Sequence, residues 1–208
     1  MKIINAEQRS PEWFAARCGI ATASNFAKVL ATIKSGEAAE RRNYRIKLAL
    51  ERITGTVEES YQNEAMRIGI EREPHARIAY EASTGNMADE VGFCLHDELE
   101  CGASPDGLID DDGGLEIKCP TPGKHFEYLR ASGEPPEYTA QIQGCIWVTG
   151  RKWWDFVSYC PDFPDNASLI VRRVHRDDEY ISNLANKIAA FMDEVRADVD
   201  TIIKYKAA

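Results

Sequence analysis

No apolar run in the chain approaches the ~20 residues needed to cross a bilayer. The first residues, MKIINAEQRSPEW, lack the apolar core of a signal peptide, so a cytoplasmic location without membrane attachment is expected. No C-x-x-C pair occurs either: Cys18, Cys94, Cys101, Cys119, Cys145 and Cys160 are scattered. That pattern argues against a zinc ribbon or a disulfide framework and suits buried thiols in a reducing compartment. Positive charge is not in excess. With 25 Lys and Arg against 34 Asp and Glu, the formal net charge is −9. Such a balance counts against coating nucleic acid through a broad basic surface, but an enzyme with acidic ligands and a localised basic channel remains compatible with it.

Neither a repeat nor a linker divides the sequence. Its 208 residues, 44% hydrophobic and 28% charged, read as one domain over 1–208 with a substantial core. RSPEWFAARCG reads as a helix capped by Ser10, with Pro11 in its first position and Gly19 at its stop. ATASNFAKVLA starts a second helix that Thr22 or Ser24 can cap. IKSGEAAERR reads as a polar loop, and NYRIKLALERITG as an amphipathic helix ending at Gly55. Helical spacing resumes from Asn63 to about Ala82, with Pro74 expected to kink or restart the helix just after Glu73.

Beyond Gly85 the period becomes two. EVGFCLHD, ECGASPDGLID and GLEIKCP read as three consecutive strands, the last two joined by a tight DDGG turn. PEYTAQIQGCIWVTG is then a helix with Ala140, Ile142, Cys145, Ile146 and Val148 for the core. Two more strands, RKWWDFVSYC and SLIVRRV, precede a long final helix striped by Ile181, Leu184, Ile188, Phe191, Met192, Val195 and Val199. This order implies an α+β or α/β-like domain with a central mixed sheet flanked by helices.

The hairpin carries the chemistry. Side chains two apart on a strand share a face, so Glu116 and Lys118 point one way and Leu115, Ile117 and Cys119 the other. Pairing 109 with 115 places 106 opposite 118, close enough for the carboxylates of Asp106 and Glu116 to converge. Converging carboxylates repel unless a cation or proton lies between them. With oxygen donors and no clustered His or Cys, that cation is Mg²⁺ or Mn²⁺. Lys118 can orient the attacking water and help deprotonate it, or stabilise charge on a phosphoryl oxygen. A Pro-Asp-Gly turn and a solvated Glu-x-Lys face give the same letters without any chemistry.

Pro-Asp, an interval, then Glu-x-Lys is the sign of the PD-(D/E)xK nuclease superfamily. SPDGL, GLEIKCP and AQIQGCIWVTG together resemble the viral recombinase exonucleases of the lambda exonuclease and YqaJ type. EWFAARCGIATASNF and AMRIGIEREPHAR match further blocks in the same order, so the resemblance runs from about Trp13 to Thr149. It implies a restriction-endonuclease-like core and a Mg²⁺-dependent exonuclease. Such an enzyme degrades one strand of linear duplex DNA from a 5′ end to mononucleotides and leaves a 3′ overhang for strand annealing.

The resemblance also implies roles. Asp106 bridges two Mg²⁺ ions, for which Mn²⁺ can substitute; Glu116 and the Ile117 carbonyl complete one site, and Glu73 supports the other. Lys118 acts on the water, with Gln141 beside it, although Gln143 lies close enough to compete for that place. Arg17, Ser24 and Ser104 form a pocket for the 5′-phosphate, and Ser24 is read near a helix start. Met66 falls where an apolar wedge parts the strands, and Lys34 can meet the displaced strand. A homotrimeric ring around duplex DNA and a single-strand annealing protein as partner are implied as well. A restriction-type endonuclease and a non-catalytic DNA-end-binding scaffold are the alternatives. An iron–sulfur nuclease is disfavoured, since only Cys160 lies beyond Cys145.

Overall fold

A computed structural model of the protein describes residues 1–57 and 64–205. A short strand β1 (Lys2–Ile4) leads to helix α1 (Pro11–Arg17). Ser10 caps α1 by accepting the Trp13 amide, and Gly19 leaves it with φ +68°. Strand β2 (Ala21–Thr22) and one 3-10 turn (Ala23–Asn25) precede α2 (Phe26–Leu30). The second helix therefore begins later than Thr22 or Ser24, because Ala21 and Thr22 are taken into a sheet. Next comes α3 (Ala39–Thr54), closed by Gly55 at φ +68°. It starts inside the stretch read as loop. Glu37 pairs with Arg41 and Arg45, and both arginines reach Glu194 of the last helix, so these polar residues staple two helices together.

Helix α4 (Glu64–Thr84) runs through Pro74 without restarting; Asn63, the expected start, lies outside the described residues. Pro74 removes one helical hydrogen bond, but burial of Ala76 and Tyr80 against a sheet holds the segment beyond it. Four strands follow: β3 (Phe93–Leu95), β4 (Cys101–Ala103), β5 (Gly107–Ile109) and β6 (Gly113–Lys118). Then come α5 (Pro122–Arg130), α6 (Pro136–Thr149), β7 (Trp153–Tyr159), β8 (Leu169–His175) and α7 (Asp178–Ile203).

The class is α+β, with the mixed sheet divided in two. One sheet has the order β1-β3-β4-β2 and the other β5-β6-β7-β8. ECGASPDGLID is thus two strands in different sheets, and Ser104, Pro105 and Asp106 make the crossing. The hairpin register also differs from the expected one: Ile109 faces Gly113 and Gly107 faces Leu115. Continued by one residue, this puts Asp106 opposite Glu116 rather than Lys118. The loop shrinks to Asp110–Asp112 because Gly113 and Gly114 belong to the strand. A Cβ on either would fall within about 2.2 Å of the Trp153 or Trp154 ring, as the 2.1 and 2.2 Å distances show. These glycines serve close packing, not the turn.

Two cores result. The larger gathers Phe26, Leu48, Ile142, Trp154, Phe156 and the Ile181-to-Val195 stripe of α7. The smaller packs Ala76 and Tyr80 of α4 on Ile109, Leu115, Ile117 and Val157. Burying each such Leu, Ile or Phe is worth about 1.5–3 kcal/mol, so the sheet carrying β6 is clamped from both faces. Cys94, Cys101, Cys145 and Cys160 are buried free thiols. Among the described residues, no helix is long and apolar enough to cross a membrane.

Candidate active site

Alternation along β6 sends Glu116 and Lys118 toward α6, while Leu115 and Ile117 enter the smaller core beneath α4. Lys118 Nζ contacts Glu116 Oε1. Gln141 Nε2, from α6, donates to the same oxygen at 2.6 Å. Tyr138, one turn earlier, places its ring 5.1 Å from the Lys118 ammonium. Across the hairpin, Asp106 Oδ2 accepts the Ile117 amide at 2.6 Å. Gln143 turns away: its Nε2 donates to the His175 carbonyl, and its Oε1 accepts the Asp177 amide. Of the two glutamines, Gln141 faces the acids.

Glu116 is 2% exposed, and its Oε2 is buried with no hydrogen-bond partner. Burial pushes its carboxyl up to about 7; Lys118 opposes the shift and Asp106 adds to it. Asp106 is raised by burial, against the pull of Lys118 and the Ile117 amide. Glu73 is raised by burial and then by Asp106. Burial alone would lower Lys118, but Glu116 and Asp106 outweigh it and hold the ammonium charged. Lys118, Arg9 and Arg77 all draw Asp106 and Glu73 down, but burial outweighs them, and the buried Glu116 Oε2 still lacks a partner for its negative charge.

A divalent cation fits that shortfall. The donors are hard oxygens, and the orphaned Oε2 of Glu116 has a lone pair to give. Among the described residues no three His, Cys, Asp or Glu side chains gather around one point. Glu116 Oε1 is engaged by Lys118 and Gln141, and Glu73 stands on the helix covering the other face of β6, within 3.7 Å of Arg9 Nη2. Asp106 falls opposite Glu116 when the hairpin register is continued by one residue, and its charge raises both Glu116 and Glu73, the latter lining the same cleft as Asp106.

Beside this pair lies a cationic group. Ser104, two residues before Asp106, accepts Arg17 Nη1 at 2.7 Å and Trp13 Nε1 at 3.0 Å. The Arg17 guanidinium stacks 3.9 Å from the Trp13 ring centroid, and burial lowers it to about 10. Ser24 is exposed in the 3-10 turn, with its hydroxyl 3.4 Å from Thr22 Oγ1. The helix after it has only five residues, which removes the helix-start argument made for Ser24. Met66 is 48% exposed on a cleft of about 500 Å³ shared with Trp13, Phe14, Lys118 and Tyr138. Lys34 is exposed in the loop before α3.

Several neighbours escaped the sequence reading. Arg9 touches Glu73. Arg77 has a buried Nη1 without a hydrogen-bond partner, close to where a Cβ on Gly107 would sit. Arg151 Nη1 holds the carbonyls of Ile109, Asp110 and Gly113, fixing the hairpin end. Only Arg77 left a signal: it lies one helical turn beyond Glu73, on the same face.

Residues 12–152 match the YqaJ-like viral recombinase domain. The fold is similar to that of LHK-Exo, an alkaline exonuclease from Laribacter hongkongensis, at 41% identity and TM-score 0.86, over 94% of this chain and 97% of that one. A second LHK-Exo structure, in complex with dAMP, is 42% identical with TM-score 0.87, over 93% and 96% of the two chains. A phage-related exonuclease from Haemophilus somnus 129PT shares the fold at 15% identity and TM-score 0.68, over 88% and 95%. A comparison with curated proteins returned no match. Fold, site and these likenesses define an enzyme of the alkaline exonuclease class. The chain belongs to the YqaJ-like viral recombinase family.

Proposed function

We propose that the protein is a Mg²⁺-dependent 5′→3′ exonuclease. It degrades one strand of linear duplex DNA to mononucleotides and leaves a 3′ single-stranded overhang for recombination by annealing. The observation that carries this reading is the buried, partnerless Glu116 Oε2 opposite Asp106, two residues from the Ser104–Arg17–Trp13 cluster. In this reading a cation site and an anion site adjoin along one chain segment, Ser104 to Asp106. The dAMP bound by LHK-Exo supports mononucleotide release.

In this reading Asp106, Glu116, the Ile117 carbonyl and Glu73 would hold two Mg²⁺ ions, with Mn²⁺ as a substitute. Bound there, the ions would supply charge stabilisation at the attacking and leaving oxygens. Lys118, held as a cation, donates to a phosphoryl oxygen and orients the attacking water. Gln141 keeps Glu116 turned toward Lys118. Arg17 and Ser104 bind the 5′-phosphate, with Ser24 at the pocket's edge, and Met66 wedges the strands apart. A homotrimeric ring would let a chain of net charge −9 present cationic groups to DNA inside a channel. An annealing protein would take up the overhang, and the setting is cytoplasmic.

The test is digestion of linear duplex labelled at one 5′ end, beside covalently closed circles, with and without Mg²⁺. Early release of the labelled mononucleotide from linear DNA alone, and only with Mg²⁺, is expected. Cleavage of the circles would instead indicate a restriction-type endonuclease, and binding without release a scaffold.

A further inference from the structure

Arg9 is one of two non-glycine residues among the described ones with positive φ, at +73°; the other is Asp110, in a turn. Aspartate tolerates that conformation through local hydrogen bonding, whereas arginine gains nothing from it. Its neighbours enforce the geometry. The Gln8 amide donates to the carbonyls of Val91 and Pro105, and Ser10 is fixed as the cap of α1. The turn at Arg9 is therefore over-determined, as strained backbone must be to persist.

The strain aims the guanidinium. Arg9 Nη2 lies 3.7 Å from Glu73 Oε2, with the Arg9 side chain 46% exposed. Arg9 and Glu73 line both the cleft that reaches Asp106 and the cleft that reaches Lys118 and Met66. A half-exposed ion pair stabilises by less than a left-handed backbone costs, so folding stability does not account for arginine here. The helix that begins just after Arg9 carries Trp13 and, one turn further on, Arg17.

Resting on the exonuclease reading, we propose that Arg9 is a phosphate-binding residue. It grips a backbone phosphate of the bound strand beside the bond to be cut, between the Arg17–Ser104 pocket and the acids. Glu73 parks the guanidinium in the free protein. Cations at the acids would neutralise Glu73 and release Arg9 to the strand, where its planar fork matches a phosphate bidentately.

The test uses Arg9→Gly, which relieves the strained backbone while removing the charge, and Arg9→Lys, which keeps the charge. Binding of a 5′-phosphorylated duplex oligonucleotide is measured in Ca²⁺ across a salt series, with melting temperatures alongside. Arg9→Gly should melt no lower than wild type, bind about tenfold more weakly, and lose about one from its salt slope. Arg9→Lys should recover part of the affinity and the full slope. In Mg²⁺, Arg9→Gly should raise KM about tenfold and change kcat less than about threefold, as loss of ground-state phosphate binding requires. Unchanged affinity and slope in Arg9→Gly would overturn the proposal, as would a lowered melting temperature with normal salt slope. Wild-type protein that releases no nucleotide in Mg²⁺ would instead remove the exonuclease reading, while the Ca²⁺ binding still reports on Arg9.

Discussion

Arg17 and Ser104 are joined by a 2.7 Å hydrogen bond across 87 positions of sequence. The bond ties α1 to the crossing between the two sheets, and Asp106 is two residues along that crossing. Under the proposed function, a terminal phosphate held at Arg17 would fix what lies over Asp106. Arg17→Ala should reduce the preference for 5′-phosphorylated over 5′-hydroxyl ends by about tenfold or more, the scale of one charged hydrogen bond lost. Competition between the two substrates measures it, and an unchanged preference would remove Arg17 from end recognition.

Asp106→Asn, Glu116→Gln and Lys118→Ala each take one charge from the acid–lysine cluster. Each should lower hydrolysis at least about 10²–10³-fold, the usual effect of losing a group aimed at transition-state charge. Binding of duplex ends in Ca²⁺ should change far less. Single-turnover kinetics beside equilibrium binding separates the two, and near-normal turnover in any variant would cancel that residue's role.

Gln141 and Gln143 differ in what they hold. Gln143 is buried and satisfies the His175 carbonyl and the Asp177 amide, where β8 gives way to α7. Gln143→Ala should cost about 1–3 kcal/mol of stability, a fall of several degrees in melting temperature, with turnover near normal below that melt. Gln141→Ala, which frees Glu116 Oε1 from one partner, should show the reverse: near-normal melting and impaired turnover.

Glu116 also sets a pH dependence for the metal-free protein. Its carboxyl is raised from the ordinary 4.5 to about 7, chiefly by burial. The folded state thus binds this proton more tightly than the unfolded chain does. That contribution to stability is fully present below about pH 4.5 and lost as pH rises through about 7. In EDTA, melting temperature should fall between pH 5 and pH 8. Glu116→Gln should flatten the fall, and Mg²⁺ should reverse it at pH 8. A melting temperature rising with pH over that range, in wild type but not in Glu116→Gln, would contradict the assignment.

Element ends were legible wherever one residue type has one job. Ser10 caps α1, Gly55 closes α3, and the apolar period of α7 is the one buried. The acid pair was legible too, but not its register. Gly113 and Gly114 look like turn residues in sequence, and only the rings of Trp153 and Trp154, forty residues away, show why they belong to the strand. α5 was missed because it buries just His125 and Tyr128, too few positions to register a period. Arg9 and Arg77 left little trace, since a charged residue earns its role from what the fold brings beside it: Glu73 for one, the Gly107 backbone for the other.

The central claim is that Asp106 and Glu116 gather divalent cations against a DNA phosphate. Anomalous diffraction from crystals grown with Mn²⁺ and a 5′-phosphorylated duplex tests it most directly. Density between the Asp106 and Glu116 carboxylates, within bonding distance of a phosphate oxygen, is the expected result. Crystals with DNA seated at Arg17 but no anomalous peak at those acids would contradict it.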